Sequence, residues 1–495
     1  MSAPEIWSWV LIGLQIIIGL AATVAISLRR KPSTAIAWIM AIVLIPYVGF
    51  IAFLLIGFGR LPRKRRDKQK AVNDFMHNTS GLEVYKSKVD EPEWLKPIVA
   101  MNDKLGALPM VHSNSAYLIQ GYEESLETMV EEIDKAENFV HIEFYIFVKD
   151  QTTAPFFDAL ARAVQRGVAV RVLFDHVATL RLPNRRETMD ALDDMGADWH
   201  HMLPLKPWKG QWQRPDLRNH RKLLVVDGKI GFMGSQNLID STYLKPGNIK
   251  RGLHWKELMV RLEGSIVAEL DAVFLTDWYS ETDEIPHDDA YQALTPIAER
   301  LPAEQYDPRT VFGLDAQVIP SGPSFENDNN LKLFVALIHN ARHRVSITSP
   351  YFVPDEATLQ AIITAASRGL EVELFVSEVA DQAMVYHAQR SYYEALLGAG
   401  VMIYQYPEPT VLHSKHFSID DEIAVIGSSN MDIRSFSLNM EVSMLVRGHE
   451  FVEQMRQVED AYRSISKPID PEQWKSRPLK GKILDALARL TSGLQ

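Results

Sequence analysis

The chain has no cysteine, and that absence removes three chemistries at once. A disulfide framework, a thiolate metal site and a cysteine nucleophile are all excluded. Basic surplus is also missing from most of the chain. Residues 1–70 hold ten Lys and Arg against only Glu5 and Asp67, which leaves residues 71–495 with a formal net charge of −19. So acidic a body lacks the cationic surface with which non-specific nucleic-acid binders displace counterions, and no nucleic-acid partner is expected. Charge of either sign is absent from two N-terminal stretches, Ile6–Leu28 and Ala35–Phe58, of 23 and 24 residues. Each is long enough to cross a bilayer core as a helix. A cleaved signal peptide would need a basic start and a shorter apolar run, and "MSAPE" does not supply the first. Pro46 lies inside the second stretch, so a kinked span or a re-entrant hairpin is an open alternative.

The flanks set the orientation. Three positives lie between the stretches (Arg29–Lys31) and seven follow in "RLPRKRRDKQK" (Arg60–Lys70), which predicts a body on the cytoplasmic side. The same basic run is expected either to attract anionic head groups or to serve as an ordinary stop-transfer flank.

What the remainder contains is a repeat. "HRKLLVVDGKIGFMGSQN" (His220–Asn237) and "HSKHFSIDDEIAVIGSSN" (His413–Asn430) place His, Lys, Asp, Gly, Ser and Asn at identical offsets, 193 residues apart. Six fixed types at ~5% usage coincide about once in 10⁸ trials. Around each copy, apolar strand-like runs alternate with helical patterns: "VHIEFYIF" then "RGVAVRVLF" in the first half, "VSITSPYF" then "RGLEVELFV" in the second. This is the pattern of a duplicated α/β domain. The expected organisation is a transmembrane hairpin (1–59), a basic juxtamembrane linker (60–108), two domains (109–290 and 310–478) and a C-terminal amphipathic helix (479–495). In that helix Ile483, Leu487, Leu490 and Leu494 share one face, which predicts docking on the body or seating on a membrane surface.

On an extended strand, residues i and i+2 share a face. His220 with Lys222, and His413 with Lys415, can therefore reach one pocket. Asp227 and Asp420 complete the candidate catalytic set but have opposite parity, which assigns them support rather than proton transfer. Ser235, Asn237, Ser428 and Asn430 add hydroxyls and amides suited to phosphate oxygens. One copy supplies half a site. Two copies face to face would set an imidazole on either side of a phosphorus, one to attack and one to protonate the leaving oxygen. Orienting acids are expected downstream of each histidine: Glu257 after His220, displaced by an insertion of about nine residues, and Glu441 after His413. His416 makes "HSKH" with His413, but no carboxylate cluster accompanies it at useful spacing, so neither a metal nor a cofactor is expected. "LPLKPWKGQWQR" (Leu203–Arg214) interleaves Trp208 and Trp212 with cations, as at a membrane–water interface or in an ordinary surface loop.

The doubled His-x-Lys-x4-Asp-x6-Gly-Ser-x-Asn motif resembles the phospholipase D superfamily. With the paired apolar stretches, "DLRNHRK" and "GSSNMDIRSFSLNME", the chain is similar to bacterial cardiolipin synthases of the phospholipase D type along nearly its whole length. The resemblance implies two phospholipase-D-like α/β sandwich domains related by a pseudo-two-fold, sharing one site in an enzyme of the bacterial inner membrane. It also implies transfer between two phosphatidylglycerol molecules. His220 would attack the first phosphorus while His413 protonates the departing glycerol, and His413 would then activate the second lipid's hydroxyl. Hydrolysis by water, nucleic-acid cleavage and a non-catalytic scaffold are the alternatives.

Overall fold

The computed structural model describes residues 3–28, 32–57, 65–68, 91–106, 108–206, 208, 214–284, 286, 306–323, 325, 328–490 and 492. Contacts divide them into two compact units, Met1–Arg60 with Arg214–Asp216, and all the rest.

In the first unit, helix Ala3–Ser27 is followed by Pro32–Leu44 and Pro46–Ile56. The second predicted span is thus two helices rather than one. Proline has no amide N–H to continue the ladder, and Ile45, at φ −132° and ψ 71°, leaves helical geometry before it. Ala22, Ile26, Ala35, Ile42 and Phe53 pack together between these helices, and Trp38 meets Phe53 edge-on. Among the described residues no helix is long and apolar enough to cross a membrane, so the expected transmembrane pair is not found in that form.

The body is built on one 15-stranded sheet. Its first half contributes β1 (Val111–Ile119), β2 (Phe139–Phe144), β3 (Ala169–Asp175), β4 (Asp198–Met202), β5 (Lys222–Val226), β6 (Ile230–Gly234) and β7 (Met259–Glu263). The second contributes β8 (Val311–Ser321), β9 (Arg344–Thr348), β10 (Glu371–Ser377), β11 (Met402–Tyr406), β12 (His416–Ile419), β13 (Ile423–Gly427), β14 (Glu441–Arg447) and the short edge strand β15 (Lys467–Pro468). The order β15-β11-β10-β9-β12-β13-β14-β8-β1-β7-β6-β5-β2-β3-β4 reads the same outward from its centre in both directions, with each strand of one half matched by the strand seven numbers on. β1 and β8 pair antiparallel at that centre, which makes the pseudo-two-fold a property of the backbone. The outer strands β2–β3–β4 and β9–β10–β11 are parallel and joined through helices, and the inner β2, β3, β9 and β10 carry apolar residues suited to strands covered on both faces.

Helices Tyr122–Asp134 and Ala154–Gln165 cover part of the first half, burying Met129, Ile133, Phe156 and Leu160. Asn329–Asn340, Glu356–Ser367 and Ala383–Ala399 cover the second. Helices Ile266–Thr282 and His449–Ile465 contribute Leu270, Phe274, Val452 and Met455 to one core that draws on strands of both halves. The two repeats therefore share a sheet and a core.

The linker assignment also changes. Helix Lys96–Gly106 belongs to the body: Ile98 and Val99 are buried with Leu333 and Leu337 of the second repeat. Of the basic run, Arg65, Arg66 and Lys68 are described, and Arg65 pairs with Glu281 and Lys68 with Asp283. Much of the expected inter-domain connector lies outside the described residues, as does Trp212, while Trp208 is exposed.

Asp227 and Asp420 close the same turn in each repeat. Asp227 accepts from the amides of Glu137, Asn138 and Phe139, and Asp420 from those of Arg342, His343 and Arg344. Both sit at φ +50°, a conformation that Asp and Asn tolerate better than other L-residues. Neither lines the pocket that holds the histidines, and in this structure both lock turns. Asp227→Ala should strip one acceptor from three amides and cost about 1–3 kcal/mol of stability. A lowered urea midpoint with unchanged turnover per folded molecule is the expected result; a loss of turnover without loss of stability would return the residue to the chemistry.

Candidate active site

Two short backbone pairings carry the site, and they are related by the pseudo-two-fold. His220 N–H donates to Met440 O at 2.8 Å, and Met440 N–H donates back to Arg218 O at 2.8 Å. On the other side His413 N–H donates to Lys256 O at 2.8 Å, continuing the parallel pairing of His254–Lys256 with Thr410–Leu412. Each histidine is thereby fixed beside the residue that precedes the other repeat's acid.

The consequence is a crossed pairing. His220 Nδ1 lies 3.0 Å from Glu441 Oε2, and His413 Nδ1 lies 2.7 Å from Glu257 Oε1. Both acids stand beside histidines, as expected, but each orients the histidine of the opposite repeat. Sequence distance hid this because the partners are 221 and 156 positions apart. A carboxylate at Nδ1 holds that nitrogen protonated and leaves Nε2 as the free base.

The serines of the Gly-Ser-x-Asn turns are not phosphate ligands in this geometry. Ser428 Oγ donates to Glu441 Oε2 at 2.5 Å and accepts from Val442 N–H, while Ser235 Oγ accepts from Leu258 N–H beside Glu257. They hold the acids. The glycine before each serine has a steric cause: a Cβ on Gly234 or Gly427 would lie 2.3 Å from the carbonyl oxygen of Leu258 or Val442. Asn237 is engaged as well, accepting from Ile146 N–H and donating to Tyr243 Oη at 2.8 Å. Asn430 lines the cavity with its Oδ1 unpartnered, and is the member of the predicted phosphate set that retains an open polar atom.

Lys222 and Lys415 bridge back to their histidines. Lys222 Nζ donates to His220 O at 2.5 Å and Lys415 Nζ to His413 O at 2.6 Å, with the His413 ring nitrogens at 3.2 and 3.3 Å from Lys415. Burial pushes Lys222 down to about 7 and Lys415 down to about 8, against the pull of Glu441 and Glu257. Burial also lowers both histidines, His220 to about 4, so each imidazole is neutral at neutral pH. Both glutamates are held below their usual range by the facing histidine, even though burial opposes this. The resting site is two neutral imidazoles on two carboxylates, beside two ammoniums whose charge is costly until an anion arrives.

The two histidines line a cavity of about 1030 Å³. Its other walls hold residues to which the sequence reading gave no role. Tyr145 packs edge-on to His220 at 4.9 Å, and Tyr351 to His413 at 6.0 Å. Tyr243 donates from Oη to Glu257 Oε1 at 3.3 Å, and comes from the insertion that lengthens the first repeat. The surplus spacing was the available signal. Arg218, Asp432 and Arg434 also line the cavity; they lie within "DLRNHRK" and "NMDIRSFSLN", stretches that carried the resemblance without an assigned function. Arg218 is set by Asp175, whose carboxylate also accepts from Asn219 N–H immediately before His220. His416 points elsewhere, buried near Glu459 and Tyr462, and among the described residues no cluster of three or more His, Asp or Glu forms a metal-ligand set.

Comparison with known proteins shows the family and the fold. The family described as "Cardiolipin synthase, PLD-like domain" matches residues 129–278 and 334–461, and the family described as "Phospholipase_D-nuclease N-terminal" matches residues 16–57. The cardiolipin synthase of Geobacillus kaustophilus is 32% identical, covering 99% of this chain and 95% of its own length. Cardiolipin synthase A of Serratia proteamaculans is 29% identical, covering 93% and 92%. Among solved structures, the phosphatidylserine synthase of Haemophilus influenzae superposes with a TM-score of 0.57 at 15% identity, over 80% of this chain and 99% of that one, which shows the fold. A family match that reaches both motifs, and relatives of this identity over nearly the full length, place the chain in the cardiolipin synthase family of phospholipase-D-like proteins.

Proposed function

We propose that the protein is a membrane-anchored phosphatidyltransferase that converts two phosphatidylglycerol molecules into cardiolipin and glycerol. The observation that carries this is the pair of crossed His–Glu couples opening onto one cavity. In the first step His220 Nε2 attacks the phosphorus of one lipid, the bond from phosphorus to the head-group glycerol oxygen breaks, and His413 delivers the proton that makes glycerol. The anionic diester favours that protonated state of His413. In the second step His413 takes the proton from a head-group hydroxyl of the second lipid. That oxygen attacks phosphorus and the P–N bond to His220 breaks. One diester is exchanged for another, so the balance needs neither nucleotide nor water.

Lys222 and Lys415 act on the phosphoryl oxygens as the diester enters. The cavity's remaining lining suits lipid: Ile146, Leu182, Val353 and Val385 supply an apolar wall above the polar floor. Residues 6–58 serve as the membrane anchor, and the excess of positive charge after them supports a cytoplasmic body in a bacterial inner membrane.

Purified protein given phosphatidylglycerol as its only lipid should yield cardiolipin and free glycerol in equal amounts. Phosphatidic acid as the main product would make it a hydrolase instead. His220→Ala and His413→Ala should each abolish cardiolipin formation, because one site needs both an attacking base and a leaving-group acid. Near wild-type turnover in either variant contradicts the scheme.

The lysines predict a pH dependence. Lowered to about 7 and about 8 in the free protein, they lose charge as pH rises through that window, so kcat/KM should fall there. A bound diester stabilises the ammonium forms, so the alkaline fall in kcat should come at higher pH. Superimposable alkaline limbs for the two parameters would remove the lysines from phosphate binding.

A further inference from the structure

The C-terminal helix Leu479–Arg489 docks on the body through the face opposite the one its sequence pattern suggested. Asp485 and Ala488 are buried. Asp485 pairs with His387 and Arg477, and Arg489 lies over the Tyr392 ring. The apolar row is left outside: Leu479 is 71% exposed, Ile483 51%, Leu487 57% and Leu490 81%. At 100° per residue these four span an arc of about 80°, on the side of the helix away from Asp485 and Ala488. Lys480 borders the arc on one side, and Lys482 with Arg489 on the other.

Four large apolar side chains in a row on water carry an unfavourable free energy that a soluble surface ordinarily avoids. The charge around them identifies what covers them. Between Lys475 and Leu490 there are five cations and one carboxylate, which is buried and already paired, on a chain of net charge −11. An apolar stripe rimmed by lysine and arginine is complementary to the surface of an anionic bilayer, with leucines at the acyl boundary and ammoniums at the phosphates. Position supports the same occupant. The helix packs on Ala383–Ala399, where His387 meets Asp485; one turn earlier on that helix Met384 is 56% exposed and lines the mouth of the cavity.

We infer that residues 479–490 form an interfacial helix that seats the body on anionic lipid through Leu479, Ile483, Leu487 and Leu490, holding the cavity mouth against the leaflet. This second membrane contact would be independent of the N-terminal segments. It follows from exposure and charge, and holds whichever diester the site transfers.

The absence of cysteine makes the test clean. Leu487→Cys in the full-length protein, spin-labelled and placed in phosphatidylglycerol nanodiscs, should show the label protected from a water-soluble relaxation agent and accessible to oxygen, as at the head-group–acyl boundary. A fully aqueous label overturns the inference. Lipid-independent dipolar broadening between labels also overturns it, because a second copy would then cover the stripe. In parallel, Ile483→Ser combined with Leu487→Ser should slow turnover of bilayer phosphatidylglycerol about tenfold or more while leaving a short-chain, monomeric analogue unaffected. Equal losses on both substrates would contradict interfacial seating. The label's depth is read without turnover, so it stands or falls separately from the proposed reaction.

Discussion

The backbone bonds from His220 to Met440 and from His413 to Lys256 are the constraint on which the rest of the molecule depends. They put each histidine ring beside an acid that its own repeat does not provide. Neither repeat alone can fix the tautomer of its histidine, so a single α/β unit of this chain holds no complete His–Glu couple. The central antiparallel pairing of β1 with β8 and the shared core of Ile266–Thr282 and His449–Ile465 bring these contacts within reach. The proposed chemistry accounts for the architecture: a reaction needing two imidazoles on opposite sides of one phosphorus would be served by a pseudo-two-fold that passes between them.

Electrostatics then follow from burial. Two carboxylates, two lysines and two histidines stand together buried, and burial lowers the affinity of both lysines for their protons. An anionic diester is the missing partner. Its arrival stabilises both ammoniums and raises the basicity of the neutral histidines, so binding charges the machinery it is about to use. The serines and Asp227 and Asp420 do none of this directly. They hold the glutamates and the turns, which keeps the strand ends that carry His and Lys in register.

Much of this was legible in the sequence, for identifiable reasons. Period-2 spacing brought His and Lys together, although His220 stands just before β5 and both His413 and Lys415 just before β12, and Asp227 and Asp420 lie away from the cavity. Duplication at a fixed offset of 193 residues announced the symmetry. What was hidden was set by contacts between the halves. Glu441 follows His413 in the chain yet serves His220, and no local pattern reports a crossing of that kind. Ser235 and Ser428 looked like phosphate ligands because hydroxyl chemistry is the same toward an acid or an anion; only the strand beside them decides. The leucine face of residues 479–490 left docking on the body and seating on a membrane both open, because amphipathicity gives an apolar side but not what lies against it. Pro46 was a visible break, and it splits the second apolar stretch where a proline must.

The crossed pairing can be read directly with a phosphatidyl ester of p-nitrophenol, whose leaving group departs without a proton. The burst of nitrophenol then reports attack by His220, and steady turnover with phosphatidylglycerol as acceptor reports activation of the second hydroxyl by His413. Glu441→Gln should slow the burst, whereas Glu257→Gln should leave the burst intact, slow the steady state and let the covalent intermediate accumulate. The reverse assignment, or identical effects of the two variants on both phases, would contradict an account in which each histidine is set by the acid of the opposite repeat.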